Sequence, residues 1–163
     1  SPTWSTEKKR NDPRMETIKA RKFTARCYAL IVSKSNRLLV MKERWRGVHL
    51  NKLPGGGLEL GEGLLECLNR ELEEEFTSYE TCQWSHLHTP THYFTSQFRP
   101  DEQLLLNYFK AVAPVNEQLW TLNPEESENL LGIEWLELHK KNRSWFTLES
   151  DRDAFDLLLE RYS

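Results

Sequence analysis

The chain is short of the features that would make it a disulfide-built, membrane-spanning or nucleic-acid-coating protein. It has three cysteines in 163 residues, Cys27, Cys67 and Cys82. An odd number without CxxC spacing argues against a disulfide framework and against a structural zinc site, so they read as reduced, partly buried thiols. No apolar run approaches the roughly 18 residues needed to cross a bilayer, and no signal-peptide pattern precedes the domain, so the expectation is a cytoplasmic enzyme without a membrane partner. Positive charge is not in excess. The 22 Lys and Arg against 25 Asp and Glu leave a formal net charge of -3, which argues against nucleic acid as a partner. Internal repeats and low-complexity tracts are lacking too, and the length is one domain's worth.

What the chain does have is a Gly-rich turn followed at once by a helix crowded with carboxylates, between Gly55 and Ser78. From Leu64 to Phe76 the apolar residues Leu65, Leu68, Leu72 and Phe76 recur at spacings of three and four, which places them on one buried stripe of an α-helix. Glu71, Glu74 and Glu75 are related by i+3 and i+4 and share a face beside that stripe. Such like-charge pairs cost about 0.2–0.5 kcal/mol each on a bare helix, and they lie near the negative end of its dipole. A cation among them relieves both problems, and magnesium or manganese suits clustered carboxylate oxygens together with phosphate oxygens. An EEE run taken alone is more often a solvated acidic face; its setting decides otherwise.

That setting is a spacing: Gly56, five residues, Glu62, seven residues, then Arg70, Glu71, Leu72, one residue, Glu74 and Glu75. It resembles the signature of the Nudix hydrolase family, and of its MutT-like members. Thr77 and Ser78 depart from it, standing where the family has Gly and an aliphatic residue. The Gly allows a left-handed helix end, which a β-branched Thr adopts only at about 1–2 kcal/mol. The resemblance implies an α/β fold, an α/β/α sandwich with a mixed β-sheet flanked by helices. It also implies a magnesium-dependent hydrolase, with manganese able to substitute, that cleaves the diphosphate linkage of a nucleoside triphosphate or of a nucleoside diphosphate derivative. In that reading the metal is held by Glu71, Glu74, Glu75 and the Gly56 carbonyl, and the catalytic residues are Glu71, Glu74, Glu75 and Arg70. Glu75 and Glu71 are the principal ligands, and Glu74 is ligand or base. Arg70 orients the helix carboxylates while pairing with Glu62; a plain i,i+4 ion pair with Glu74 accounts for it equally well. Gly56, Glu62 and Arg70 are then the structural residues of the motif, and Glu59 ranks below the helix trio. A monomer or homodimer is expected. The alternative is a non-catalytic Nudix domain serving as a nucleotide sensor or protein-interaction module, against which the complete helix trio argues. RNA cap removal would want an extended basic surface that the charge balance does not supply.

The remaining segments read as scaffold. Residues 1–20, with Lys8, Lys9, Arg10 and Arg14 before Met15, are expected to be a flexible basic arm, and 21–163 the domain. Phe23 to Ser33 and Arg37 to Lys42 read as strands of a hairpin around a polar turn. Next comes a charged stretch rich in Arg44, Arg46 and Lys52, whose cationic side chains are placed to bind a diphosphate and whose Trp45 is placed to stack on a base; the plainer reading is a charged surface loop with a half-buried Trp. Strands are expected at Tyr79 to His88, His92 to Phe98, Gln103 to Val112 and Leu131 to Leu138. His86, His88 and His92 lack a fourth fixed ligand and read as ordinary histidines rather than a transition-metal site. Glu102, Glu126 and Glu128 are candidates for an additional loop glutamate of the kind the family uses. Tyr93, Phe94 and Tyr108 join Trp45 as aromatic residues in plausible places for a base. The last helix carries a Phe155, Leu158, Leu159, Tyr162 stripe and a capping box of Ser150 with Asp153.

Overall fold

The computed structural model describes residues 17–126 and 128–162; most of the basic arm, Met15 included, lies outside the described residues. Strand β1 (Lys22–Leu30) is the hub. It pairs antiparallel with β4 (Gly55–Gly57) on one side and parallel with β7 (Glu102–Ala111) on the other, and β7 carries β6 (Trp84–His88) antiparallel. A second sheet has β2 (Arg37–Trp45) between β3 (Val48–Lys52) and β9 (Leu130–Glu137), all antiparallel. A short pair, β5 (Phe76–Ser78) with β8 (Thr121–Leu122), completes the set.

The continuous apolar run that follows Arg26 has a simple cause: both faces of the strand are covered. Cys27, Ala29 and Ile31 pack under helix α1 (Leu64–Glu75) against Cys67, Leu68 and Leu72. Tyr28, Leu30 and Val32 pack on the other side under helix α2 (Glu149–Glu160) against Ala154, Phe155 and Leu158. A mixed sheet between helices is what the motif implied. All three cysteines are free thiols, Cys27 and Cys67 buried and Cys82 half-buried. No helix among the described residues is long and apolar enough to cross a membrane.

Several local expectations are corrected. The β1–β2 hairpin exists only at its neck, where Val32 bridges Leu38 and Ser33 N donates to Arg37 O at 2.7 Å. The strands then separate, because each has its own long partners in a different sheet. The charged stretch around Arg46 is a hairpin rather than a loop. Arg46 (φ 48°) and Gly47 (φ 79°) both adopt positive φ, the conformation of a two-residue turn matched to strand twist. Strand β6 begins at Trp84, not Tyr79. Residues 92–98 make only the Thr95–Gln103 bridge, since Ser96 Oγ accepts from Phe98 N and Arg99 N and closes a turn just before Pro100. In α2 the N-cap is Leu148, without a side-chain cap. Ser150 and Asp151 are engaged by Tyr108, and Asp153 by Arg143 at 3.2 Å.

Candidate active site

Helix α1 is set against β4 by glycine. An added Cβ at Gly55 (φ 144°) would stand 2.8 Å from Tyr28 Cα, and one at Gly56 would overlap the Glu71 carboxyl, 2.5 Å from Cδ and 2.9 Å from Oε2. Glu71 therefore rests directly on the Gly56 backbone. At about 100° per residue, Glu71 and Glu75 point the same way as Leu64 and Leu68. They lie within the buried arc rather than beside it. Leu65 falls at the margin of that arc and is 44% exposed, while Leu64 makes the core contact in the first turn. Glu74 is turned to the exposed flank.

Glu75 is only 8% exposed, and its Oε2 has no hydrogen-bond partner among the described residues. Burial raises its carboxyl to about 8; Lys52 opposes the shift and neighbouring Glu71 and Glu43 add to it. Burial likewise raises Glu71, against the pull of Arg70. Arg70 lies across the array. Its Nε and NH2 donate to the two oxygens of Glu62 at 2.9 and 2.7 Å, and NH2 also donates to Gly57 O at 2.8 Å. NH1 reaches Glu71 at 3.2 Å, Glu74 at 3.3 Å and Glu59 at 3.6 Å. That fork holds the Glu62 carboxyl down at about 2 and raises the guanidinium. Arg70 thus does both things expected of it: it joins the helix to the glycine strand through Glu62, and it makes the i,i+4 contact.

The helix end does not incur the left-handed cost. Phe76 is already extended (φ -123°, ψ 136°), and its N–H donates to Leu72 O. Asn123 covers the next carbonyls, its N donating to Glu75 O at 2.8 Å and its Nδ2 to Glu74 O at 3.2 Å. Thr77 and Ser78 therefore belong to β5, with Ser78 Oγ donating to Leu119 O at 2.6 Å.

A cavity of about 530 Å³ opens beside β4, within the range of small-molecule sites. Arg26 and Gly57 line it on the motif side, Tyr28 and Lys52 are among its deeper residues, and Trp45 and Phe98 line it too. Lys52 is 7% exposed and lies 3.0 Å from Glu43. Burial alone would lower its ammonium, but Glu43, Tyr28 and Glu75 more than offset that. Arg26 Nε donates to Tyr28 Oη at 2.6 Å. Beneath them Tyr108 stacks on Tyr28, with ring centroids 5.2 Å apart, and donates to buried Asp151 at 2.7 Å. Burial lifts Asp151 to about 6 although the Tyr108 bond opposes it.

Of the residues singled out in the sequence, Gly56, Glu62, Arg70, Glu71 and Glu75 come together, with Glu74 and Glu59 at the edge. Trp45 and Phe94 line the cavity, whereas Arg44 and Arg46 are exposed and do not. Glu102 is a buried lining residue paired with Lys22 at 3.2 Å and Arg99 at 3.5 Å. Glu126 and Glu128 are exposed, Tyr93 is exposed, and Tyr108 is in the core. His86 Nε2 lies 2.8 Å from Thr89 Oγ1. Among the described residues no three His, Cys, Asp or Glu side chains form a ready-made metal cage. Lys52, the third cation of the charged stretch with Arg44 and Arg46, lines the cavity as well. Arg26, Tyr28 and Phe98 were not foreseen; the one signal for the first is a cation inside an otherwise apolar strand.

The donor set nonetheless suits a hard divalent cation. It is all oxygen, it contains a buried carboxylate oxygen with no partner, and the Gly56 backbone is kept open where any Cβ would close it. The family profile described as NUDIX domain matches residues 22–155. The chain belongs to the Nudix family. Solved structures agree with this Nudix fold. A MutT protein from Methanosarcina mazei Go1 has a TM-score of 0.66 at 21% identity, covering 87% of this chain and 96% of its own. The Escherichia coli dihydroneopterin triphosphate pyrophosphohydrolase has a TM-score of 0.66 at 18% identity, covering 86% and 99%. A bifunctional NMN adenylyltransferase/ADP ribose pyrophosphatase from Francisella tularensis has a TM-score of 0.64 at 20% identity, covering 92% of this chain and 45% of that one. A search of curated proteins finds no match.

The elevated Glu75 carboxyl gives a stability prediction for the metal-free Nudix domain. A carboxyl whose folded value is raised from 4.5 to about 8 contributes stability that is fully present below 4.5 and lost as pH rises through 8. In EDTA the Tm is expected to rise as pH is lowered from about 8 to about 6, and Glu75→Gln to flatten that rise. Thermal melts of both proteins across the window check it; equal slopes would refute it.

Proposed function

We propose that this Nudix domain is a magnesium-dependent hydrolase of the diphosphate linkage in a nucleoside triphosphate or nucleoside diphosphate derivative, working in the cytoplasm. The observation that carries the reading is the unpartnered Oε2 of Glu75, buried beside Glu71 on the Gly56 backbone. Two carboxylates buried side by side there, only partly balanced by Arg70 at 3.2 Å from Glu71 and by Lys52, are costly unless a cation joins them. When bound, magnesium supplies neutralisation of phosphoryl charge and a more acidic water.

The chain's own residues do the rest. Glu75, Glu71 and the Gly56 carbonyl hold the cation, and Glu74, on the solvent flank, serves as ligand or proton acceptor. Arg70 fixes Glu71 and Glu74 from behind, so their oxygens are oriented before substrate arrives. Lys52 and Arg26, which line the cavity and couple to the helix carboxylates, offer positive charge to the phosphate chain. A panel of nucleoside triphosphates and nucleoside diphosphate derivatives, assayed for phosphate and pyrophosphate release with magnesium and with EDTA, tests this. Release only in the presence of magnesium or manganese is expected; a panel left intact overturns the reading.

A further inference from the structure

We infer that Trp45 and Phe98 form an aromatic jaw that stacks the base of the substrate, with Arg46 as the positioning residue that holds the indole; the inference rests on the nucleotide reading above. Trp45 ends β2 and Phe98 comes from the segment before β7, so two elements distant in sequence meet at the cavity wall, their ring centroids 6.3 Å apart at 65°. Of the cavity's three cations, Arg99 is paired with Glu102 at 3.5 Å, while Arg26 and Lys52 lie close enough to the helix carboxylates for charge coupling to Glu71 and Glu75. A nucleotide has the same division, an anionic chain at one end and a planar π-face at the other.

The two-residue turn at Arg46 and Gly47 folds the Arg46 guanidinium back to 5.8 Å from the indole centroid. Arg46 does not line the cavity, so it acts on the ring and not on the guest. Phe98 is fixed independently, its N–H bonded to Ser96 Oγ at 3.3 Å. The jaw sets affinity for the base and leaves the phosphate chemistry alone.

The test is steady-state kinetics with magnesium on the best nucleotide of the panel, with tripolyphosphate as a base-free competitive inhibitor. Trp45→Leu and Phe98→Leu should each raise KM about tenfold or more while kcat stays within about threefold, since stacking discriminates by roughly that much per base. The Ki for tripolyphosphate should move less than about twofold, and Trp45→Phe should stay near the parent. Arg46→Ala should raise KM about threefold, with Arg46→Lys restoring it. Unchanged KM in both leucine variants, or a parallel rise in the tripolyphosphate Ki, overturns the jaw while leaving the hydrolase reading standing. If the parent cleaves nothing in the panel, the hydrolase reading fails, and equilibrium dialysis of the same nucleotides decides the jaw: it stands on a tenfold loss in Trp45→Leu, as stacking predicts, and falls without one.

Discussion

Replacing Glu75 by Gln is expected to lower kcat by about 100-fold or more, and Glu71→Gln to do nearly the same. Gln keeps the shape of the side chain and removes only its charge. Because Glu75 is 8% exposed with Oε2 unpartnered, a structural role and a metal-holding role predict opposite stabilities. Above about pH 8, where the Glu75 carboxyl is charged, its burial is costly, so in EDTA at that pH the Gln variant should melt above the parent. Magnesium should raise the parent's Tm by binding the folded state, and that increment should vanish in the variant. Activity equal to the parent's, or a variant that melts well below it in EDTA, would sink the assignment of Glu75 as a ligand.

The helix and its motif were legible because a 3.6-residue period and a fixed spacing are both local. The position of Glu71 and Glu75 within the buried arc was not. Amphipathic reading sorts carboxylates to the wet side, and only the approach of the glycine strand draws them inward. Long-range pairing hid the rest of the site. Lys52 reads as one of three cations ahead of the glycines, and only the pairing of its strand with β2, which sets it 3.0 Å from Glu43, distinguishes it from exposed Arg44 and Arg46. The capping box at Ser150 was a sound local pattern defeated by Tyr108, whose hydroxyl takes Ser150 from 42 residues away in sequence, and by Arg143, which takes Asp153. Thr77 in place of Gly announced a different or strained helix end, and which of the two it is depends on Asn123, from a distant turn, which takes up the last carbonyls. Arg44 and Arg46, chosen for charge and position, sit on a hairpin tip whose geometry no composition rule foretold.

Gly56→Ala is the second large effect expected, and it separates geometry from charge. The substitution changes no titratable group and leaves all three helix glutamates in place. Its Cβ would stand 2.5 Å from Glu71 Cδ, so either the carboxyl or the β4 backbone must move. Overpacking of this kind costs about 1–3 kcal/mol, and a misplacement near 1 Å in a reacting site costs about 100-fold in rate. Gly132 is the matched control: nothing lies within 4 Å of a Cβ built there, so Gly132→Ala should shift stability by no more than about 0.5 kcal/mol and spare activity. If Gly56→Ala turned over substrate like the parent at an unchanged Tm, the glycine strand would not be what aims Glu71, and the close seating of the carboxyl on that backbone would be incidental to catalysis.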